Sequence, residues 1–126
     1  MGQAYRGPKR TILCIDDDSA ILRYERTLLE RSGYIVLTTA SPEEGLTLAM
    51  KFQLDAVVLD YQMPGMNGHE VASAIKASRP DILIVMFSAS EIPDETLKLA
   101  DAVVLKMDAV DQLLPTVRQL CRRPSL

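Results

Sequence analysis

The sequence predicts an α/β fold: a doubly wound, five-stranded parallel sheet with helices on both faces. Short apolar runs of strand length alternate with longer segments of helical periodicity as far as the end of the chain. The apolar runs lack strict alternation, which is typical of strands covered on both faces. Strands that alternate with helices favour parallel pairing through right-handed crossovers. The five predicted strands are residues 11–15, 34–38, 55–59, 82–87 and 102–105.

Length and composition indicate one compact domain, because the 126 residues are 48% hydrophobic and 25% charged. We expect an N-terminal extension over 1–9, a domain over 10–121 and a C-terminal tail over 122–126. Without a membrane-spanning run or a secretory signal, a cytoplasmic location is expected. The net charge of -3, with basic residues clustered only at the ends, argues against nucleic-acid binding by this domain. Cys14 and Cys121 are interpreted as a buried thiol and a helix-end thiol.

Helices are predicted between the strands from apolar stripes and from residues that start or stop a helix. Ser41 followed by Pro42 is a good N-cap with a first-turn proline, and Gly33 is a plausible C-cap glycine. His69 is interpreted as a surface residue near the start of a helix. The predicted stripes are Ile21, Tyr24, Leu28 and Leu29; Leu46, Ala49 and Met50; Val71, Ala74 and Ile75; and Val110, Leu113, Leu114, Val117 and Cys121.

Polar residues follow four of the five predicted strands. In a parallel sheet the carboxyl ends of the strands meet at one rim, where the working site of such folds lies. Each residue also has an ordinary structural explanation, such as helix capping for Asp18 or Ser19 and a solvated surface position for Lys106. Their joint placement favours a site. Its members are Asp16, Asp17, Asp18, Asp60, Ser88 and Lys106.

These residue types suit phosphoryl chemistry. Two or three carboxylates on one rim form an oxygen-rich site for a hard cation such as Mg²⁺. A carboxylate can also act as a nucleophile that forms an acyl phosphate. A lysine ammonium and a hydroxyl would stabilise the charge of a phosphoryl group in transfer.

Four stretches resemble the receiver domain of two-component response regulators. They are "ILCIDDD" (12–18), "VVLDYQMPGMNG" (57–68), "IVMFSAS" (84–90) and "VVLK" (103–106). The second stretch is the most specific, and the resemblance extends over roughly residues 10–121. It implies a flavodoxin-like or CheY-like fold with strand order 2-1-3-4-5.

The resemblance also implies the role of each site residue. Asp60 matches the phosphoacceptor, which takes a phosphoryl group from a sensor histidine kinase or a phosphotransfer protein. Asp16, Asp17, Asp60 and the backbone carbonyl of Gln62 match the Mg²⁺ ligands. Ser88 and Lys106 match the groups that contact the phosphoryl. Such a domain is a switch rather than an enzyme, with at most slow self-dephosphorylation, and it signals by contact with a downstream protein. A homodimer is compatible with this role.

Three departures from the family pattern lie in the second half of the chain. Met107 follows Lys106 where proline is usual, so the chain either bears the cost of a cis bond or routes the loop differently. Val103 stands at the switch position that commonly carries an aromatic ring. The segment between Ser88 and Lys106 is about one helical turn short, which predicts a shortened fourth helix.

Three other functions are alternatives to the phosphoacceptor role. The departures allow a phosphorylation-independent docking module that keeps the acids. An aspartate-nucleophile phosphatase usually needs a second acid two residues beyond the nucleophile, where this chain has Gln62. A flavin carrier needs a hydroxyl-rich phosphate loop after the first strand, where this chain has three acids.

Overall fold

The computed structural model of the protein describes residues 9–122. Residues 1–8 of the predicted extension and 123–126 of the predicted tail lie outside this range. The strands all pair in parallel in the order β2-β1-β3-β4-β5, which confirms the predicted sheet and its order. They are β1 (Thr11–Ile15), β2 (Ile35–Thr39), β3 (Ala56–Asp60), β4 (Leu83–Ser88) and β5 (Ala102–Leu105).

Within residues 9–122, four helices connect the strands, and a fifth helix follows β5 after a 3-10 turn (Lys106–Asp108). The fourth helix has only four residues, as the short segment predicted. None of the peptide bonds within residues 9–122 is cis, so the chain turns after β5 through this 3-10 turn. The helices are α1 (Ser19–Arg31), α2 (Pro42–Lys51), α3 (Gly68–Ser78), α4 (Asp94–Leu97) and α5 (Ala109–Cys121).

Two apolar cores cover the two faces of the sheet. One joins alternate residues of the central strands to α2 and α3, and the other joins the intervening residues to α1 and α5. Both faces of β3 are therefore buried, which explains why its sequence is apolar without alternation. Cys14 and Cys121 are free thiols buried in the second core.

The predicted starts of β2, β3 and β4 are each one residue early. Tyr34 still donates its backbone N–H to the Leu29 carbonyl, so it belongs to the turn that follows α1. In this turn Gly33 has a positive φ of 96°. The Asp55 carboxylate accepts the backbone N–H of Thr11, at 2.7 Å, immediately before β3 begins. Local contacts thus set the starts of β2 and β3.

Three members of the predicted helical stripes are exposed rather than buried: Tyr24, Met50 and Val110. In α1 the buried face consists of Leu22, Glu25 and Leu29. Val110 is 82% exposed because it lies in the first turn of α5, before the buried stripe that starts at Leu113. Helical period alone does not tell how far along a helix the supporting sheet extends.

Candidate functional site

Three aspartates meet at the carboxyl edge of the central strands. Asp16 directly follows β1, and Asp60 is the last residue of the neighbouring strand β3. Carboxylate oxygens of Asp16, Asp17 and Asp60 all lie within 4.8 Å of one another. Asp16 and Asp60 are buried, whereas Asp17 is exposed. Hard divalent cations prefer such all-oxygen ligands, so the three side chains fit a Mg²⁺ ion.

The third consecutive aspartate has a different task. Asp18 is the N-cap of α1, where its carboxylate accepts the backbone N–H of Ala20 at 2.9 Å and that of Ile21 at 3.4 Å. Its own N–H donates to Asp16 Oδ1 at 2.9 Å. The predicted capping role of Asp18 is therefore confirmed, and its backbone helps to orient the Asp16 carboxylate.

Lys106 lies between the two buried carboxylates. Its Nζ is 2.9 Å from Asp16 Oδ2 and 3.3 Å from Asp60 Oδ1. The contact with Asp16 is an ion pair rather than an aligned hydrogen bond. Phe87 packs below the ammonium, with its ring centroid 5.7 Å from Nζ. One cation thus offsets the repulsion between two buried anions.

Burial sets the protonation behaviour of this pair. Burial, reinforced by the charge of Asp16, raises the pKa of Asp60 to about 6, although Lys106 and the Gln62 backbone N–H act in the opposite direction. Burial alone would lower the pKa of Lys106, but its contacts with Asp16 and Asp60 outweigh that effect and raise it. At neutral pH, Asp60 is therefore mostly an available carboxylate and Lys106 stays charged.

The other predicted site residues have different contacts, and of these Ser88 and Gln62 lie at the same rim. Ser88, the last residue of β4, is buried, and its hydroxyl donates to the backbone carbonyl of Ser90 at 2.7 Å. The Gln62 backbone N–H donates to Asp60 Oδ1 at 3.3 Å. Val103 lies in β5 with 40% of its surface exposed. Among the described residues, only Lys106 forms an ion pair with Asp60.

The sequence pattern did not single out Glu25, and His69 is less exposed than predicted. Glu25 of α1 is only 1% exposed, and among the described residues its Oε1 has no hydrogen-bond partner. The spacing of Leu22, Glu25 and Leu29 was the available signal for its burial. His69, predicted as a surface residue, is half-buried because its Nδ1 shares a 2.8 Å hydrogen bond with Thr96 Oγ1.

Comparison with known proteins agrees with this geometry. Residues 12–117 match the response regulator receiver domain. The response regulator MprA of a Mycobacterium species (strain KMS) is 34% identical over 118 residues, which are 90% of this chain and 51% of that protein. The probable transcriptional regulator ycf27 of Cyanophora paradoxa is 35% identical over 91% of this chain and 49% of that protein. The chain thus spans about half the length of these relatives.

Solved structures give the same result. The Thermotoga maritima response regulator TrrA in complex with Mg²⁺-BeF has a TM-score of 0.83 and 32% identity, covering 88% of this chain and 98% of that one. A CheY-like receiver domain protein from Methanospirillum hungatei has a TM-score of 0.86 and 27% identity, covering 91% of this chain and 95% of that one. The same TrrA is also known in complex with the histidine kinase ThkA. This chain belongs to the receiver domain family of two-component response regulators.

Proposed function

We propose that the chain is a phosphoacceptor, modified on Asp60 by a histidine kinase or a phosphotransfer protein in a Mg²⁺-dependent reaction. The supporting observation is the position of the Asp60 carboxylate, which lies beside Asp16 and Asp17 and 3.3 Å from the Lys106 ammonium. The kinase complex of TrrA supports a kinase as the donor. The output is a contact with a downstream protein, and the functional unit is residues 10–121.

The chemistry is an in-line displacement at phosphorus. An Asp60 carboxylate oxygen forms the new P–O bond while the P–N bond of the phosphohistidine donor breaks and the departing imidazole takes up a proton. Asp16, Asp17, Asp60 and the Gln62 backbone carbonyl would hold Mg²⁺, which supplies charge stabilisation to the phosphoryl oxygens when bound.

Two side chains of the rim would then contact the phosphoryl group on Asp60. Lys106, released from part of its pairing with Asp60, would bond a phosphoryl oxygen. The Ser88 hydroxyl must leave the Ser90 carbonyl to donate to the phosphoryl, which requires its O–H bond to turn away from that carbonyl. Modification therefore replaces both sets of resting contacts, and this exchange is the physical basis of a switch.

The test is intact-protein mass spectrometry after incubation with acetyl phosphate. We expect the wild type to gain one phosphoryl group with Mg²⁺ present and none with EDTA, and Asp60→Asn to gain none. Asp18→Asn is the matched control, because asparagine caps a helix as well as aspartate does. An unmodified wild type, or equal modification of Asp60→Asn, would contradict the proposal and favour the phosphorylation-independent docking module.

A further inference from the structure

Helix α4 has little structure of its own to hold it in place. It comprises four residues, Asp94–Leu97, and no side chain in the described part of the chain caps its first turn. Ile92 before it and Thr96 within it are buried, whereas Leu97 is 41% exposed. Helices this short are marginal without tertiary contacts, so the position of α4 depends on the few residues that bind it to its neighbours.

One side-chain hydrogen bond connects α4 to α3. His69, the second residue of α3, places its Nδ1 2.8 Å from the Oγ1 of Thr96. Thr96 is 0% exposed, so its hydroxyl must keep a partner inside the protein. Within residues 9–122, His69 is the side chain that supplies this partner. The bond therefore fixes α4 against the start of α3.

The start of α3 is packed directly on the backbone of Asp60. A Cβ atom on Gly68 would lie 2.7 Å from Tyr61 Cα and 2.9 Å from the Asp60 carbonyl oxygen. The Gly68 N–H also donates to the Tyr61 carbonyl at 2.7 Å. Glycine permits this close approach, so a shift of the backbone at Asp60 is passed to Gly68 and to the adjacent His69.

We propose that His69 is a positioning residue that couples the state of Asp60 to α4 through its hydrogen bond with Thr96. The inference rests on the proposed phosphorylation of Asp60. It assigns the connection to a contact between α3 and α4, whereas Val103 has no ring that could move inward. When the loop after Asp60 moves around a bound phosphoryl, α4 either follows His69 or loses this contact.

Hydrogen exchange of α4, followed by mass spectrometry, tests the coupling. Thr96→Val is nearly isosteric and removes the hydroxyl, whereas Thr96→Ser keeps it. Without a phosphodonor, we expect the α4 amides of Thr96→Val to exchange about fivefold faster than in the wild type. With acetyl phosphate and Mg²⁺, exchange in α4 should change in the wild type and in Thr96→Ser but not in Thr96→Val. His69→Leu removes the same hydrogen bond by changing its other, half-exposed partner, and this variant should behave like Thr96→Val.

Phosphoryl content is measured by mass on the same samples, which separates this inference from the proposed function. If phosphorylated Thr96→Val and His69→Leu change their α4 exchange as the wild type does, the coupling through His69 is wrong and the phosphoacceptor function stands. A phosphorylated wild type without any change in α4 also contradicts the coupling. A wild type that takes no phosphoryl contradicts the function and the inference together.

Discussion

Lys106 makes the gathering of acids at the rim tolerable. Two unit charges about 4 Å apart repel by about 4 kcal/mol at an effective dielectric of 20, and Asp16 and Asp60 are both buried. The ammonium lies 2.9 Å from one carboxylate and 3.3 Å from the other, so it offsets this repulsion within the chain. A bound cation can take over that task, which would free Lys106 for a phosphoryl oxygen.

Glu25 is a third buried acid, and no basic side chain forms an ion pair with it among the described residues. Burial, followed by the charge of Asp16, raises the pKa of Glu25 from 4.5 to about 9. At neutral pH it is therefore protonated in the folded protein but ionised in the unfolded chain. The folded state binds the extra proton throughout this interval, so stability falls as pH rises from about 4.5 to about 9.

We predict that Glu25→Gln removes this fall in stability with rising pH. Between these limits, the difference in unfolding free energy between wild type and variant should change by about 1.4 kcal/mol per pH unit. The measurement is urea unfolding at several pH values in metal-free buffer. Glu95→Gln, at an exposed position of α4, is the control and should follow the wild type. Parallel curves for the wild type and Glu25→Gln would show that Glu25 titrates normally.

At the scale of elements, α3 is held at its first turn from two directions. Asn67 and Glu70 form a capping box, in which each side chain accepts the backbone N–H of the other at 3.0 Å. Gly68 lies between them and touches the backbone of Asp60. These contacts fix the direction of α3 and its distance from the Asp60 backbone, and they connect the helix to the candidate site.

We predict that Gly68→Ala lowers the unfolding free energy by about 2 kcal/mol, since the new methyl group would meet backbone atoms that cannot move independently. Gly45→Ala is the matched comparison in α2. Its Cβ would meet the flexible end of the Ile15 side chain, which can rotate away, so we expect a smaller loss. Urea unfolding of both variants measures the two losses of unfolding free energy. A larger loss in Gly45→Ala would mean that side-chain crowding matters more than backbone contact.

At the scale of the whole molecule, the cores and the site occupy different places. Two apolar layers bury the sheet between helices, while the acids collect at its carboxyl edge. Within residues 9–122, no helix is long and apolar enough to cross a membrane. A ligand that binds only at this edge should stabilise the entire fold, because the acids are brought together only in the folded state.

We predict that Mg²⁺ raises the unfolding free energy of the wild type, by about 1.4 kcal/mol when its concentration is roughly tenfold above the dissociation constant. EDTA should reverse the gain. The gain should shrink as pH falls below about 6, because Asp60 must lose its proton to bind the ion. Asp16→Asn should abolish most of the gain, and Asp18→Asn should retain it. Equal stabilisation of all three proteins would place the ion elsewhere.

Much of the fold was predictable because it depends on local sequence. The strand and helix order follows from apolar runs and caps, and Asp18, Ser41 and Gly33 have the predicted capping positions. Tyr24, Met50 and Val110 belong to the predicted apolar stripes but are exposed, because helical period does not show which neighbour each turn meets. The contact of His69 with Thr96 joins residues 27 positions apart, and no local pattern indicates it.

Motifs that resemble the receiver family predicted the strand order, and the strand pattern placed the candidate site residues at the strand ends. Tertiary contacts set how the charges of these residues are balanced: Lys106 pairs with Asp16 and Asp60, and the Ser88 hydroxyl bonds the Ser90 carbonyl. Packing of α1 also buries Glu25, which raises its pKa to about 9. Motifs specify residue types at strand ends, whereas pairing and protonation depend on distances and burial that arise when distant segments pack together.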